Sequence, residues 1–435
     1  MADTIDPKTA AALIEALDAG RLDYLFQTAH IDYSERDGLT GTSLALGLPR
    51  DAVAHLVSAV RKAQGLTILA GAWGDYSSWI MLSAELVGLL HEIDIRSKFD
   101  FQSAVGLPDD EIRFLTNQIL VEEVLSLGLT FGELSPTNDV ELSQAHTAAR
   151  RMLTEGTEPT TEYQRWVLRF FELMMRLPEL AAQPLTVNRL LELHAILTAG
   201  LAEGGGVLRD TDAIDRPGVG LSADGAGVPA ERIASEMSAI AAYGTSMQSP
   251  YVHPLVKVIV YFYWIRRIQP FSVANGLFAR LVIHIYEYQQ GYRSLPFTPL
   301  TRTAAPDWAV PPPLESEGGR FDATTFVIKR LRLFMNAYVV GKREMQTAVQ
   351  RYEMLVTRFA PLKINHRQAR ILDEALGVPT TVFTIRRHAR SRGLAYETAR
   401  QDFLALVKAG YMEQQRRGRL FEFRLARDAH KRLPR

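Results

Sequence analysis

Apolar residues recur at three- and four-residue spacing along most of this chain, which restricts it to a fold built mainly from helices. The pattern is clearest over 7–25, 50–64, 77–94, 109–127 and 162–177, whereas strand-like alternation is scarce before residue 410. A chain of 435 residues exceeds one ordinary core, so two or three domains are expected. Breaks rich in glycine or proline at 200–229 and 304–320 predict long loops, and 321–359 reads as one long helix or two broken ones. The organisation that follows is an N-terminal helical region at 1–109, a central domain at 110–345, and a C-terminal domain with its linker helix at 346–435.

Composition narrows the setting. Cysteine is absent, which removes disulfides and thiolate metal sites and fits a reducing compartment. The opening MADTIDPKTA is acidic and polar and lacks the basic-then-apolar order of a signal peptide, so a cytoplasmic protein is expected. The densest apolar stretch, Leu255 to Ile268, is interrupted by Lys257, Arg266 and Arg267 and is too short to span a bilayer, so no membrane partner is expected. Net charge is zero but unevenly spread. Residues 361–435 hold 17 basic and 7 acidic side chains, leaving 32 basic and 42 acidic in the first 360. A basic end on a neutral protein is a candidate surface for a polyanion.

The most informative segment is HPLVKVIVYFYWIRRIQPFSVANGLFARLVIHIYEYQQG at 253–291. Pro254 suits a first helical turn, the helix after it is apolar nearly all round, and Pro270 ends it. A short loop follows, and Asn275-Gly276 opens a second helix that stops at Gly291. The N–H groups at that helix start, with Arg280 one turn on, can form an anion site. The same spacing also suits a plain capped helix with Asn275 as cap and Arg280 as a surface charge.

The stretch from Gln269 to Arg280, QPFSVANGLFAR, resembles the Fic motif HxFx(D/E)GNGRxxR. PLTVNRLLELHAIL at 184–197 resembles the helix before the target-docking flap of Fic proteins, and Gly206-Val-Leu-Arg-Asp210 resembles the start of that flap. The resemblance covers roughly 110–345 and implies a helical Fic fold that transfers AMP from ATP to a hydroxyl of a target protein. Carried over, this chain keeps Phe271, Asn275, Gly276 and Arg280 as phosphate- or nucleotide-binding positions. It holds Gln269 where the general base belongs, Val273 at the Mg²⁺ ligand, Ala274 at the first glycine and Leu277 at the first arginine. Glutamine cannot exchange a proton near neutral pH, and valine offers no oxygen to a hard cation. The resemblance therefore implies a decayed active site with no catalytic residue and no metal. ATP or another nucleotide remains the ligand it suggests. The inhibitory helix of the family, (S/T)xxxE(G/N), resembles LVEEVLSLGLTFGELS at 120–135, with Phe131 at the inhibitory Glu and Glu133 nearby. His253 reads as a helix cap and His284 as a packed histidine.

Residues 361–427 read as three helices and a hairpin: Arg367 to Leu376, Thr384 to Arg390, Tyr396 to Ala409, then alternation around Gly418. That order is the order of a winged helix, and AYETARQDFLALVKAGYM resembles the winged-helix tail of longer Fic proteins. In the third helix Glu397, Thr398, Arg400 and Gln401 lie opposite the apolar face, where helix-turn-helix proteins contact base edges. Arg416, Arg417 and Arg419 on the wing, with Arg386, Arg387 and Arg390, are placed for phosphates. The expectation is a regulatory DNA-binding protein, working as a dimer on paired half-sites and carrying a Fic pseudoenzyme. The alternatives are an AMP transferase with residual activity and a scaffold whose two modules contact proteins.

Overall fold

The computed structural model describes residues 7–30, 38–70, 77–97, 107–130, 139–155, 157–212, 228–245, 251–298, 300, 320–417 and 420–434. The fold is mainly helical. It opens with α1 (Pro7–Asp18), α2 (Asp23–His30), α3 (Gly38–Leu46) and α4 (Arg50–Gln64), then strands β1 (Leu66–Ala70) and β2 (Ser77–Ile80). Next come α5 (Ala84–Ser97), α6 (Asp109–Thr130), α7 (Asp139–Glu155), α8 (Glu162–Met175), α9 (Leu177–Leu180) and α10 (Val187–Thr198). Helices α11 (Ala230–Thr245), α12 (Pro254–Ile268) and α13 (Asn275–Gln289) precede β3 (Arg320–Asp322) and the long α14 (Thr324–Phe359). The last elements are α15 (His366–Gly377), β4 (Phe383–Thr384), α16 (Ile385–Arg392), α17 (Tyr396–Lys408), β5 (Met412–Arg417) and β6 (Leu420–Leu425).

Two helical windows of the sequence divide differently in the structure. The run at 7–25 breaks where Gly20 takes φ 67°, a left-handed residue that only glycine adopts freely, and α2 starts afresh at Asp23. The run at 77–94 begins as strand β2, which pairs antiparallel with β1 and parallel with β3, Ser78 opposite Phe321. Partner strands far away in sequence supply that ladder, so local periodicity loses there. The predicted loops at 200–229 and 304–320 lie partly outside the described residues, which exclude 213–227 and 301–319.

Helices α12 and α13 run through the main core. Nearly every residue from Leu255 to Ile268 and from Asn275 to Glu287 is buried. Around them pack α8 (Trp166, Phe170, Leu173), α10 (Leu190, Leu193, Leu197) and the first part of α14 (Val327, Leu331, Phe334). Helix α8 starts at a full capping box, in which Thr161 and Gln164 satisfy one another's backbone N–H groups. Strands β1 and β2 and helix α5 contribute Ile68, Ile80, Leu86 and Leu90 to this same core. A smaller N-terminal core joins α1, α2, α3 and α4 through Ala16, Leu25, Leu46 and Val57. Arg61 ties it to the rest: the buried guanidinium donates to Asp322 at 2.8 Å and to the Ala29 carbonyl at 2.7 Å.

A third core is built from α15, α16, α17 and a sheet of strand order β4-β6-β5. Phe383 faces Phe423 in the sheet, and Phe403 of α17 stacks on Phe423 with ring centroids 4.5 Å apart. Helix α14 is one unbroken helix of 36 residues, about 54 Å long. Its start packs into the main core, while Leu355 and Phe359 near its end pack into the third core. No helix among the described residues is long and apolar enough to cross a membrane.

Candidate functional site

The loop between α12 and α13 is held at both ends by main-chain geometry. Helix α12 starts at His253, whose Nδ1 accepts from the Leu255 N–H at 3.2 Å while Nε2 lies 3.2 Å from Asp94. It ends at Gln269, which takes φ 49°, and Ala274 at the far end of the loop takes φ 59°. A side chain in that region costs about 1–2 kcal/mol, so the surroundings must hold both residues there. Asn275 supplies part of that hold. Its Oδ1 accepts from the Phe271 N–H at 3.0 Å and its Nδ2 donates to the Phe271 carbonyl at 2.7 Å. Asn275 is therefore the first helical residue and a clamp across the loop, while Ala274 occupies the cap position.

Two residues outside the motif complete the clamp. Arg209 is buried, donating from Nε to the Gln269 carbonyl at 2.7 Å and from Nη2 to the Ile268 carbonyl at 3.2 Å. Its backbone N–H reaches the Pro270 carbonyl at 3.0 Å. A cation on the last carbonyls of α12 also answers the negative end of that helix. His194 of α10 stacks on Phe271, ring centroids 3.5 Å apart and nearly parallel, with Phe278 edge-on to both. The Gly206 N–H donates to His194 Nδ1 at 3.0 Å, so the proton lies on Nε2, which donates to the Val273 carbonyl at 3.1 Å. Gly206 sits at φ 78°, and a Cβ there would lie 2.8 Å from the Leu191 carbonyl, so only glycine brings this N–H to the ring.

The chemistry-bearing positions are turned inward. Gln269 is fully buried, and its Nε2 donates back to the Arg266 carbonyl at 2.9 Å. Val273 packs against the core and gives the loop only its carbonyl, while Leu277 lies within the core. Among the described residues no group of three or more His, Asp or Glu side chains is placed to hold a metal.

Arg280 is fully buried, as is Glu123 of α6, and Arg280 Nη2 donates to Glu123 Oε1 at 2.7 Å. The placement of Arg280 as a surface charge is thus corrected: it is a core cation with a core carboxylate. Beside it His284 Nδ1 lies 3.0 Å from Glu287 Oε2, both buried. Burial, with Arg280 nearby, pushes His284 well below its usual range, and burial pushes the Glu287 carboxyl up to about 8. Phe131, Gly132 and Glu133 lie outside the described residues. The carboxylate on Arg280 comes from Glu123 of α6, eight positions before Phe131 in the sequence, so the motif arginine does have an acidic partner. One sequence signal points to it: Glu123 falls between Leu120 and Val124 on the buried face of α6.

Burial drives the His194 pKa down to about 4, against the milder raising effect of the bond to Val273. A depressed folded pKa means the unfolded chain takes up the proton first. The contribution of neutral His194 is therefore complete above the unfolded value near 6.5 and is lost as pH falls toward 4. Between pH 7 and pH 5 this amounts to about 2 kcal/mol. Urea unfolding of the parent and of His194→Asn at both pH values checks it. The parent should lose about 2 kcal/mol more than the variant on acidification, and equal losses would refute the assignment.

The C-terminal elements form a second candidate site. Thr384 caps α16, Gly393 stops it at φ 61°, and α17 follows. Helix α17 buries Ala399, Asp402, Phe403 and Leu406 and turns Glu397, Arg400 and Gln401 to solvent, with Thr398 half-buried. Glu397 Oε1 accepts from Arg400 Nη1 at 2.8 Å and from Gln401 Nε2 at 2.6 Å, so these side chains form one exposed cluster. Arg416 and Arg417 are exposed on β5, and Arg417 lies 3.5 Å from Glu422. Arg419 lies outside the described residues. On α16, Arg386 and Arg390 are exposed, while Arg387 is half-buried.

Helix α16 also docks on α6. Arg392 Nη1 reaches Glu111 at 3.3 Å and its guanidinium lies 3.6 Å from the centroid of the Phe114 ring. Arg370 Nη2 donates to Glu111 at 2.8 Å, and His366 Nε2 lies 2.8 Å from Asp110. Burial drives the Arg392 pKa down to about 10, with Glu111 acting against it.

Residues 184–286 match the family model described as Fic/DOC family. Comparison with curated proteins gives no match. Among solved structures, a Fic family protein from Desulfovibrio desulfuricans G20 is similar at 18% identity and TM-score 0.47, covering 80% of this chain and 97% of its own. Fic-1 from C. elegans is similar at 14% identity and TM-score 0.39, covering 78% of this chain and 83% of its own. A Fic domain containing signaling protein from Bacteroides thetaiotaomicron VPI-5482 is similar at 15% identity and TM-score 0.36, covering 60% of this chain and 96% of its own. The matched span holds α10, residues 206–210, α12 and the whole clamped loop, and it makes this chain a carrier of a Fic/DOC family domain at residues 184–286.

Proposed function

We propose that this protein is a catalytically silent Fic-domain regulator that binds duplex DNA through its C-terminal domain. The observation that carries the silent half is the loop itself. Gln269 stands at the base position with its amide turned to the main chain, and Val273 stands at the metal position with an apolar side chain. The residues do not fit Mg²⁺ with a nucleotide triphosphate. No side-chain oxygen faces the loop from Val273, and Arg280 is fully buried with its Nη2 donating to Glu123. A general base alone is worth about 10²–10⁴-fold in rate. We propose the domain division 1–109, 110–345 and 346–435, with the last part acting as a winged helix. The solvent-facing side of α17 and the exposed arginines of β5 support the DNA half of this reading.

Purified protein incubated with labelled ATP, Mg²⁺ and cell lysate should transfer no appreciable AMP to any protein. Labelling that is robust and disappears on Asn275→Ala would overturn the silent reading and restore the transferase.

A further inference from the structure

Where α16 packs on α6 and α7, beside α8, the structure forms an open cleft of about 400 Å³. That volume lies within the usual range of small-molecule sites. Its walls are chemically divided. Phe114, Val121, Leu153, Phe171 and Met175 make the wall from α6, α7 and α8 mainly apolar, with Asn117 and Gln118 as its polar members. Arg387 and Arg390 of α16 face it from the C-terminal domain, and Glu374 is the acidic residue of the lining. His388 also lines the cleft, and its buried Nε2 has no hydrogen-bond partner.

We propose that this cleft binds a small organic anion with a flat apolar body. The Phe171 ring and the aliphatic side chains suit the face of a ring system, which gains by leaving water, while Arg392 already covers one face of Phe114. The arginines of α16 suit a carboxylate, sulfonate or phosphate at one edge of that ring system. An acceptor atom on the same ligand would satisfy His388. Burial holds that imidazole at a pKa of about 4, so near neutral pH it supplies a hydrogen bond and no charge. The Arg392 and Arg370 bridges to Glu111 already fasten α16 and α15 to α6 beside the cleft. A ligand touching both walls adds a further fastening across the same junction. Helix α16 in turn packs on α17, so the occupant sits behind the helix that faces solvent. The site is separate from the α12–α13 loop and does not depend on the reading given to that loop or to DNA.

The test uses the full chain and anilinonaphthalene sulfonate, an aromatic anion that fluoresces when bound, with neutral phenylnaphthylamine as its uncharged counterpart. One saturable site per chain is expected, with the anion bound at least about tenfold more tightly than the neutral probe. Arg387→Ala with Arg390→Ala should weaken the anion about tenfold or more and leave the neutral probe unchanged. Met175→Trp, which fills the cleft, should abolish both. Hydrogen exchange should slow in 385–393 and 114–121 when the anion is added to the parent. Equal affinity for the two probes, or anion binding unchanged by the arginine substitutions, would overturn the proposal. Arg390 is exposed, so Arg390→Ala alone keeps the test open should the double variant fold poorly.

Discussion

Substituting Glu123 with alanine should lower the stability of the protein by about 3–5 kcal/mol. The Arg280–Glu123 pair is fully enclosed, with both side chains at 1% exposure or less and 2.7 Å between the charged atoms. Removing the carboxylate leaves a guanidinium in the core, and a charge without its counterion in a low-dielectric interior is one of the costliest single changes available. Of the neighbours, His284 is held neutral, and the Glu287 carboxyl, raised to about 8 by burial and in part by Glu123, can ionise beside Arg280 only against its own burial. Converting the pair to apolar residues of similar size, Glu123→Leu with Arg280→Met, should instead be nearly neutral, because both desolvation costs vanish together. Urea unfolding of Glu123→Leu, Arg280→Met and the double variant gives the coupling directly. A loss below about 1 kcal/mol for Glu123→Ala would mean that water reaches the guanidinium, against the geometry described.

The same pair shows where sequence reading stops. The α12–α13 segment was legible because its signals are local: Pro254 at one helix start, Pro270 after its end, Gly291 beyond the second helix. The three C-terminal helices were legible for the same reason, with Thr384 as a cap and Gly393 as a stop. The partner of Arg280 was not, since 157 residues separate it from Glu123 and only the tertiary fold unites them. His194 and Arg209 escaped notice likewise. A histidine among Leu190, Leu193 and Leu197 looks like filler until its ring is seen against Phe271. An arginine in an irregular stretch after α10 looks solvated until its donors are found on the carbonyls that close α12. Strand β2 was hidden because its hydrogen-bond partners lie at 66–70 and 320–322. Docking of α16 on α6 left no local trace at all, although Glu111 and Arg392 end up 3.3 Å apart.

Duplex DNA should bind this protein with a steep dependence on salt. Helix α17 presents Glu397, Arg400 and Gln401 to solvent, and Arg386, Arg416 and Arg417 are exposed on the elements before and after it. The contact with α6 and α7 is made by α16, and these side chains of α17 stay exposed. Three arginines on phosphates give a log–log salt slope near −2.7, a loss of about 40-fold between 50 and 200 mM. Arg416→Ala or Arg417→Ala should weaken all sequences alike and flatten the slope by about 0.9. Arg400→Ala or Gln401→Ala should instead alter sequence preference, by about 1–3 kcal/mol at the base pair that each contacts. Glu397 supplies the sharpest distinction. In the free protein it accepts from both Arg400 and Gln401, and it brings a negative charge to a surface that must approach phosphates. Glu397→Ala should release both side chains and tighten binding to nonspecific DNA, whereas a surface used for protein contacts has no reason to respond in that direction. Fluorescence anisotropy of the full chain at low and physiological salt measures all of these. Absence of binding at low salt, together with no change on Glu397→Ala, would move the C-terminal domain from the nucleic-acid class to the protein-contact class.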